Sequence, residues 1–316
     1  MTASTAKSFS IHDSISKELI DRYDGFILDQ FGVMHNGEHG LEGAPECVEA
    51  LARQGKKLII LSNSSSLAKD TSARLPKLGF DRDAFVGAVT SGEEASHYIQ
   101  ETYAGKKCLF LTWKSPKTPS PVSVLQKYGN VSISDNVEEA DFILLHGCEV
   151  MRGPGPDGEA SETDLGHFME TGNLEIVDKI LKPCLDRMIP MVCANPDFIY
   201  VKPDGDVASM PGKIAERYEQ LGGSVTSFGK PHKEHFEACV RDLGLPKEKV
   251  VHVGDSIYHD IAGANATGIS SILVVGGVHR EELGIEVGSL PERDALEQLF
   301  HTHGETPTHV VPLLKL

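Results

Sequence analysis

Apolar runs of strand length alternate with stretches of helical period along almost all of the 316 residues, and that alternation leaves few folds open. Strands buried on both faces read as unbroken hydrophobic runs, and each needs a crossover helix before the next can lie parallel to it. Gly25-Phe26-Ile27-Leu28 is the first such run and Lys57-Leu58-Ile59-Ile60-Leu61 the second, with Pro45 to Arg53 reading as the helix between them. The class predicted is α/β. At about 150 residues per domain the length suggests two units. The pattern restarts near Gly105 with Cys108 to Thr112, a helical stretch from Val122 to Tyr128, Val131 to Ser134 and Phe142 to Leu145. A long helix near Leu165 to Leu185 and a strand from Met188 to Cys193 complete the second unit. After Asp204-Gly205 the first pattern resumes, with helices from Pro211 to Leu221 and from His232 to Leu243, the strand Val250 to Val253, and a final strand Ser271 to Val275 before an acidic helical tail.

The economical division is a disordered lead over 1–14, a core made of 15–103 plus 205–316, and a domain inserted over 104–204. Ser91 and Glu94 have capping-box spacing at a helix start. Arg152 to Glu162, rich in Gly, Pro and acid, reads as an exposed loop.

Lys and Arg number 30 against 46 Asp and Glu, a net charge of −16, which argues against nucleic-acid binding through a basic surface. No apolar run approaches the roughly 18 residues that span a bilayer, so no membrane segment is expected. The six cysteines are dispersed, without a CxxC pair or zinc spacing, as suits reduced thiols inside a cell. The Ser/Thr-rich start lacks the apolar run of a secretory signal. The expectation is a cytoplasmic enzyme, or an organellar one whose targeting segment has been trimmed.

Chemistry-bearing residues fall at the carboxyl ends of the strands, the edge where open parallel sheets bind ligands. Asp29 ends the first strand, and Gly254-Asp255 ends another with Asp260 five residues on. Converging carboxylates need a cation, and hard oxygen ligands without Cys or His point to Mg²⁺. Ser62-Asn63, followed by Ser64-Ser65-Ser66, ends the second strand in a hydroxyl-rich turn suited to phosphate oxygens. Lys230, in Gly229-Lys230-Pro231, supplies a fixed positive charge for a phosphoryl group. Each signal alone is as well explained by an ordinary structural turn; their order along the chain is not.

Strand-Asp29-x-x-Gly32-Val33, strand-Ser62-Asn63, Gly229-Lys230-Pro231 and Gly254-Asp255-x4-Asp260 resemble the four motifs of the haloacid-dehalogenase-like (HAD) hydrolase superfamily. Thr90-Ser91-Gly92-Glu93 and Asn195-Pro196-Asp197 look like its class IIA branch, the NagD-like and 4-nitrophenyl-phosphatase-like enzymes. The resemblance covers residues 23 to 280. It implies a Rossmann-like parallel-sheet core with an inserted α/β cap of the C2 type, and a phosphatase acting on a small phosphorylated metabolite. Asp29 becomes the nucleophile that forms an aspartyl-phosphate, and Lys230 stabilises the transferring group. Ser62 binds that group, Asn63 shapes its loop, and Asn195, Asp197 and the Gly-rich Arg152 to Glu162 segment are candidates for lining the substrate side of the cap, against an ordinary Asn-Pro-Asp turn. Mg²⁺ is held by Asp29, the backbone carbonyl of Phe31 and Asp255, with Asp260 as an outer or water-mediated partner. A homodimer through the caps is implied on the same ground.

One position departs from the pattern. Where such phosphatases carry a second Asp, two residues after the nucleophile, this chain has Phe31, which can neither protonate a leaving group nor activate water. General acid–base catalysis is typically worth about 10²- to 10⁴-fold. Aryl and acyl phosphates, whose leaving groups need no proton, are therefore expected to suffer less than alkyl phosphates. His35 is the nearest titratable side chain that could stand in, against a plain packing role. The alternative reading is a phosphate-ligand binder or regulatory protein with little catalysis. His146, at a strand end of the insert, is read as a packing residue or one that faces the cleft, and Trp113, at another, as a cap-surface or dimer-contact residue. A dinucleotide-binding oxidoreductase lacks its G-x-G-x-x-G turn after the first strand.

Overall fold

The computed structural model describes residues 8–114, 117, 120–134, 136–154 and 160–316. Seven parallel strands form the first sheet, in the order Ser10–Ile11, His309–Val311, Ser270–Val274, Val250–Gly254, Gly25–Leu28, Lys57–Ser62 and Phe85–Thr90. Alternate side chains of these strands point to opposite faces. Phe26, Leu28, Leu58, Ile60, Val251 and Val253 pack against Cys47, Val48 and Leu51 of the helix Ala44–Arg53. Ile27, Ile59, Leu61 and Val250 pack against Phe236, Cys239 and Leu243 of the helix Lys233–Leu243 on the other face. Both faces are thus covered, as a parallel sheet requires. The strand Gly25–Leu28 lies between Val250–Gly254 and Lys57–Ser62, so the residues that follow these three strands meet at one edge.

A second, mixed sheet runs Val225–Ser227, Met191–Cys193, Phe142–Leu145, Lys107–Thr112, Val150–Pro154, Ala160–Asp164, and Ser132–Ile133 also pairs with Lys107–Thr112. Its two faces alternate in the same way, Leu109, Leu111, Ile143 and Leu145 on one side and Cys108, Phe110, Phe142 and Leu144 on the other. The α/β class and the Rossmann-like core are as the sequence suggests, and the mixed sheet makes a cap.

Several boundaries differ. Residues 8–14 of the expected lead are not disordered: Ser10–Ile11 adds a parallel strand to His309–Val311 at the sheet edge, and residues 1–7 lie outside the described chain. The inserted unit does not end at 204. Ile214, Ala215 and Tyr218 of the helix Pro211–Gln220 pack in its core, and Val225–Ser227 pairs with Met191–Cys193, so the chain returns to the first sheet only at Gly229-Lys230. At the other junction the helix Ser91–Thr102 already rests on the second unit through Ala95 and Ile99. Its cap is one residue earlier than expected, with the Thr90 hydroxyl accepting the Glu93 N–H at 3.2 Å. Arg152 to Glu162 is in part a hairpin, with Val150–Pro154 antiparallel to Ala160–Asp164, and its 155–159 segment is outside the described residues. The long helix over 165–185 is two, Phe168–Thr171 and Glu175–Asp186, because Gly172 turns left-handed at φ +67° and ends the first, and Asn173 Oδ1 accepts the Glu175 N–H at 2.8 Å in the turn that leads to the second. Ser270–Val274 is not the final strand, since the helix Arg293–His303 leads into His309–Val311. No described helix is long and apolar enough to cross a membrane.

Candidate active site

Asp29 follows directly on a strand with four fully buried residues, and its N–H still bonds the Val253 carbonyl at 2.9 Å, so the carboxylate is held rigidly at the sheet's edge. The next residues turn sharply: the N–H groups of Val33, Met34 and His35 all bond the Gln30 carbonyl. Asp255 leaves the neighbouring strand and fits into a slot between two backbones. A Cβ placed on Gly32 or on Gly277 would come within 2.0 Å of Asp255 Oδ2. Gly32 also has φ +78°, a conformation that L side chains rarely adopt. The Val278 N–H donates to the same oxygen at 3.0 Å. Carboxylate oxygens of Asp29, Asp255 and Asp260 lie within 4.8 Å of one another.

Lys230 is only 2% exposed and joins two of these acids, its Nζ at 2.6 Å from Asp29 Oδ1 and 2.8 Å from Asp260 Oδ1. Asn63 fixes the lysine from outside: its Oδ1 accepts the Lys230 N–H at 2.7 Å and its Nδ2 donates to the Lys230 carbonyl at 3.3 Å. The same Nδ2 donates to Asp197 of the cap at 2.9 Å. Ser62 Oγ, also buried, accepts the Ser64 N–H at 3.3 Å and keeps its own proton to donate. Asp260 is saturated. Besides Lys230, its Oδ1 meets His252 Nε2 at 2.7 Å and its Oδ2 accepts the Ser256 N–H at 3.0 Å.

The charges do not balance. Three buried carboxylates face one ammonium, and in a low-dielectric site such an excess is expensive unless protons or a cation offset it. Burial raises the Asp29 carboxyl to about 7, with Lys230 opposing and Asp260 adding to the rise. Burial and the charges of Asp29 and Asp260 push Asp255 well above the usual carboxylate range. Burial acts on Asp260 in the same direction, but Lys230 and His252 hold it low. Hard oxygen donors carrying surplus negative charge fit a divalent cation such as Mg²⁺. The consequence for stability has a definite sign. An acid whose folded pKa is raised stabilises the fold below its unfolded value near 3.8, and that contribution is lost as the pH rises through about 7. A divalent cation bound here would compete with those protons. At a hundred times its dissociation constant it should add about 2.7 kcal/mol, with a thermal shift larger at pH 8 than at pH 5.5. Melting curves with and without Mg²⁺ at both pH values check this, and an equal shift at both would place the cation elsewhere.

Asp29, Lys230, Asp255, Asp260, Ser62 and Asn63 are thus brought together. Asn195 is not. Its Oδ1 accepts the Asp197 N–H at 3.1 Å, so the side chain shapes its own turn while Asp197 reaches the core. The Phe31 side chain packs edge-on against His35, centroids 4.7 Å apart, and against Tyr200 of the cap at 6.0 Å. His35 is a poor replacement acid: burial lowers it to about 4, and its Nδ1 accepts the Gly37 N–H. His146 is a packing residue bonded to Thr112 Oγ1 at 2.8 Å, between Phe110 and Tyr128. Trp113 Nε1 donates to Ser65 Oγ at 3.4 Å, a contact between cap and core. His252, behind Asp260, was not singled out from the sequence. A histidine inside the apolar run Val250 to Val253 was the available signal, because a fully buried imidazole needs a partner.

Residues 26–129 match a model described as haloacid dehalogenase-like hydrolase, and residues 227–314 match a HAD-hydrolase-like model. Chronophin from Homo sapiens is 26% identical over 270 residues, covering 84% of this chain and 86% of its own. A 4-nitrophenylphosphatase from Schizosaccharomyces pombe is 25% identical, over 84% of this chain and 88% of its own. Among solved structures, a p-nitrophenyl phosphatase from Archaeoglobus fulgidus superposes with a TM-score of 0.61 at 25% identity, covering 93% of this chain and 97% of that one.

Proposed function

Because the chain belongs to the class IIA haloacid dehalogenase-like hydrolases and is a phosphoric monoester hydrolase, we propose that it is a Mg²⁺-dependent phosphatase acting on a small organic phosphomonoester through Asp29. An aryl phosphate such as 4-nitrophenyl phosphate, or a sugar or nucleotide phosphate, is the substrate class. The observation that carries this reading is the excess of buried carboxylate around one lysine at the sheet edge.

Asp29 attacks phosphorus in line: a bond forms from its carboxylate oxygen to phosphorus, and the ester P–O bond breaks with its electron pair going to the leaving oxygen. Lys230 balances charge on the phosphoryl oxygens, and the Ser62 hydroxyl donates to one of them. Asn63 keeps Lys230 in place through its peptide. Asp29, the Phe31 carbonyl and Asp255 would hold Mg²⁺, while Asp260, already carrying three donors, acts from behind or through water. When bound, the ion supplies Lewis-acid neutralisation of the phosphoryl oxygens. Water then attacks the aspartyl-phosphate, the bond from phosphorus to Asp29 breaks, and inorganic phosphate leaves. No carboxylate at position 31 assists either proton transfer, which favours leaving groups that depart as stable anions. On the cap side, the turn of Asn195 and Asp197 meets the core at Asn63. Six free, buried cysteines suit a reducing, cytoplasmic setting, and pairing through the caps would show as a dimer in sedimentation.

Release of 4-nitrophenolate and of phosphate from a panel of aryl, acyl, sugar and nucleotide esters, with and without Mg²⁺, tests the proposal. Metal-dependent turnover is expected, fastest on aryl and acyl phosphates. Tight binding of a phosphorylated ligand with no release from any panel member would leave the binder reading in its place.

A further inference from the structure

Behind the acidic site, His279, Glu282 and His303 bring a second group of metal-ligating atoms within 4.8 Å of one another. His279 Nδ1 is 3.1 Å from Glu282 Oε2, and His303 Nε2 is 3.2 and 3.1 Å from the two Glu282 oxygens. Two imidazoles and a carboxylate would suit a transition metal, but the far side of His279 argues otherwise. Its Nε2 accepts the Ile257 N–H at 3.1 Å, in a residue that is 3% exposed. A neutral imidazole with Nε2 as acceptor carries its proton on Nδ1, where it donates to Glu282 and has no lone pair for a metal. Coordination through Nδ1 would put a proton on Nε2, facing and orphaning the Ile257 N–H.

We infer that His279 is a positioning residue for the Mg²⁺ site, clamping the Asp255 loop from two sides in a tautomer that Glu282 and His303 set. Its imidazole holds the Ile257 amide two residues after Asp255, and the preceding residue, Val278, holds Asp255 Oδ2 through its own N–H. Gly277 packs on that carboxylate so closely that Asp255 and the 277–279 segment move together or not at all. Burial lowers His279, which keeps it neutral and its Nε2 free to accept. This inference rests on the metal-dependent reading above, with Asp255 as a ligand.

The test is calorimetric titration of Mg²⁺ into the full-length protein freed of metal, with melting curves alongside. His279→Leu, which can neither accept from Ile257 nor donate to Glu282, should weaken Mg²⁺ binding about 10- to 100-fold, the usual effect of losing an outer partner of a metal ligand. His279→Gln, whose amide oxygen reaches as far as Nε2 and can accept from Ile257, should stay within about threefold of the native protein. Glu282→Ala removes a half-exposed side chain, taking with it the His279 tautomer lock and the contact to His303; about tenfold weaker binding with an unchanged melting temperature is expected, and it decides the matter if His279→Leu does not fold. Native-like Mg²⁺ affinity in folded His279→Leu or in Glu282→Ala overturns the inference and leaves the phosphatase reading standing. Failure of Mg²⁺ to bind the native protein, or equal binding by Asp255→Asn, overturns both. Stoichiometric Zn²⁺ binding that survives Asp255→Asn and is lost in His303→Ala overturns the inference by making the trio a metal site of its own.

Discussion

Asp29→Asn is expected to lower turnover of 4-nitrophenyl phosphate by about 10⁴-fold or more, because the amide cannot form the covalent phosphoryl intermediate on which the route depends. The substitution keeps the shape of the side chain and removes its charge. Lys230 keeps Asp260 as a partner at 2.8 Å, so no uncompensated ammonium is left in the interior. Since burial makes the Asp29 charge costly and that charge forms as the pH rises through about 7, the metal-free variant should melt no lower than the native protein at pH 8. Initial rates and melting curves on the same preparations separate lost chemistry from lost fold. A well-folded variant that retains a tenth of the native rate would remove Asp29 from its role as nucleophile.

Phe31→Asp is expected to divide its effect between the two chemical steps. With an alkyl phosphate the leaving alkoxide needs a proton, so kcat/KM should rise by about 10²- to 10⁴-fold once a carboxyl group can supply it. With 4-nitrophenyl phosphate the first step needs no such help. The native protein should therefore release a burst of nitrophenolate equal to the enzyme and then turn over slowly, limited by hydrolysis of the aspartyl-phosphate. The substitution should abolish the burst and raise kcat while leaving kcat/KM within a few-fold. The Phe31 ring packs against His35 and Tyr200 rather than in the sheet's interior, so the exchange is one the fold can absorb. No gain on either substrate would mean that proton transfer is already supplied elsewhere, and Asp197, which contacts Asn63, is the first side chain to test.

The parts of this molecule that were legible in the sequence are those whose signals are local. Phe26 to Leu28 and Leu58 to Leu61 announce two-sided burial by composition alone, and Asp29, Ser62-Asn63 and Asp255 fall where such runs stop. Lys230 was legible only through the order of the motifs, because its carboxylate partners lie far from it in sequence. What the sequence did not disclose depends on pairing at a distance. Ser10–Ile11 is too short to read as a strand and becomes one because His309–Val311 offers an edge. The stretch after Asp204 carries ordinary helix and strand signals, and only the register of Val225 to Ser227 on Met191 to Cys193 assigns it to the cap. Asn195 and Asp197 are equally polar in a turn, and the choice between them rests on which one faces Asn63 across the two units.

The strand that ends at Asp29 is flanked on one side by Lys57–Ser62 and on the other by Val250–Gly254, with the whole cap threaded between those two neighbours. On a ribosome delivering about 5–20 residues per second, Leu28 therefore waits on the order of ten seconds or more before its second flank is synthesised. The cap strands, from Lys107 to Ser227, are all made before then. During translation the cap has every strand of its sheet to hand, while Phe26, Ile27 and Leu28 are only half covered. Through that interval the strand that ends at Asp29 keeps one edge open, since its partner Val250–Gly254 comes only after the cap.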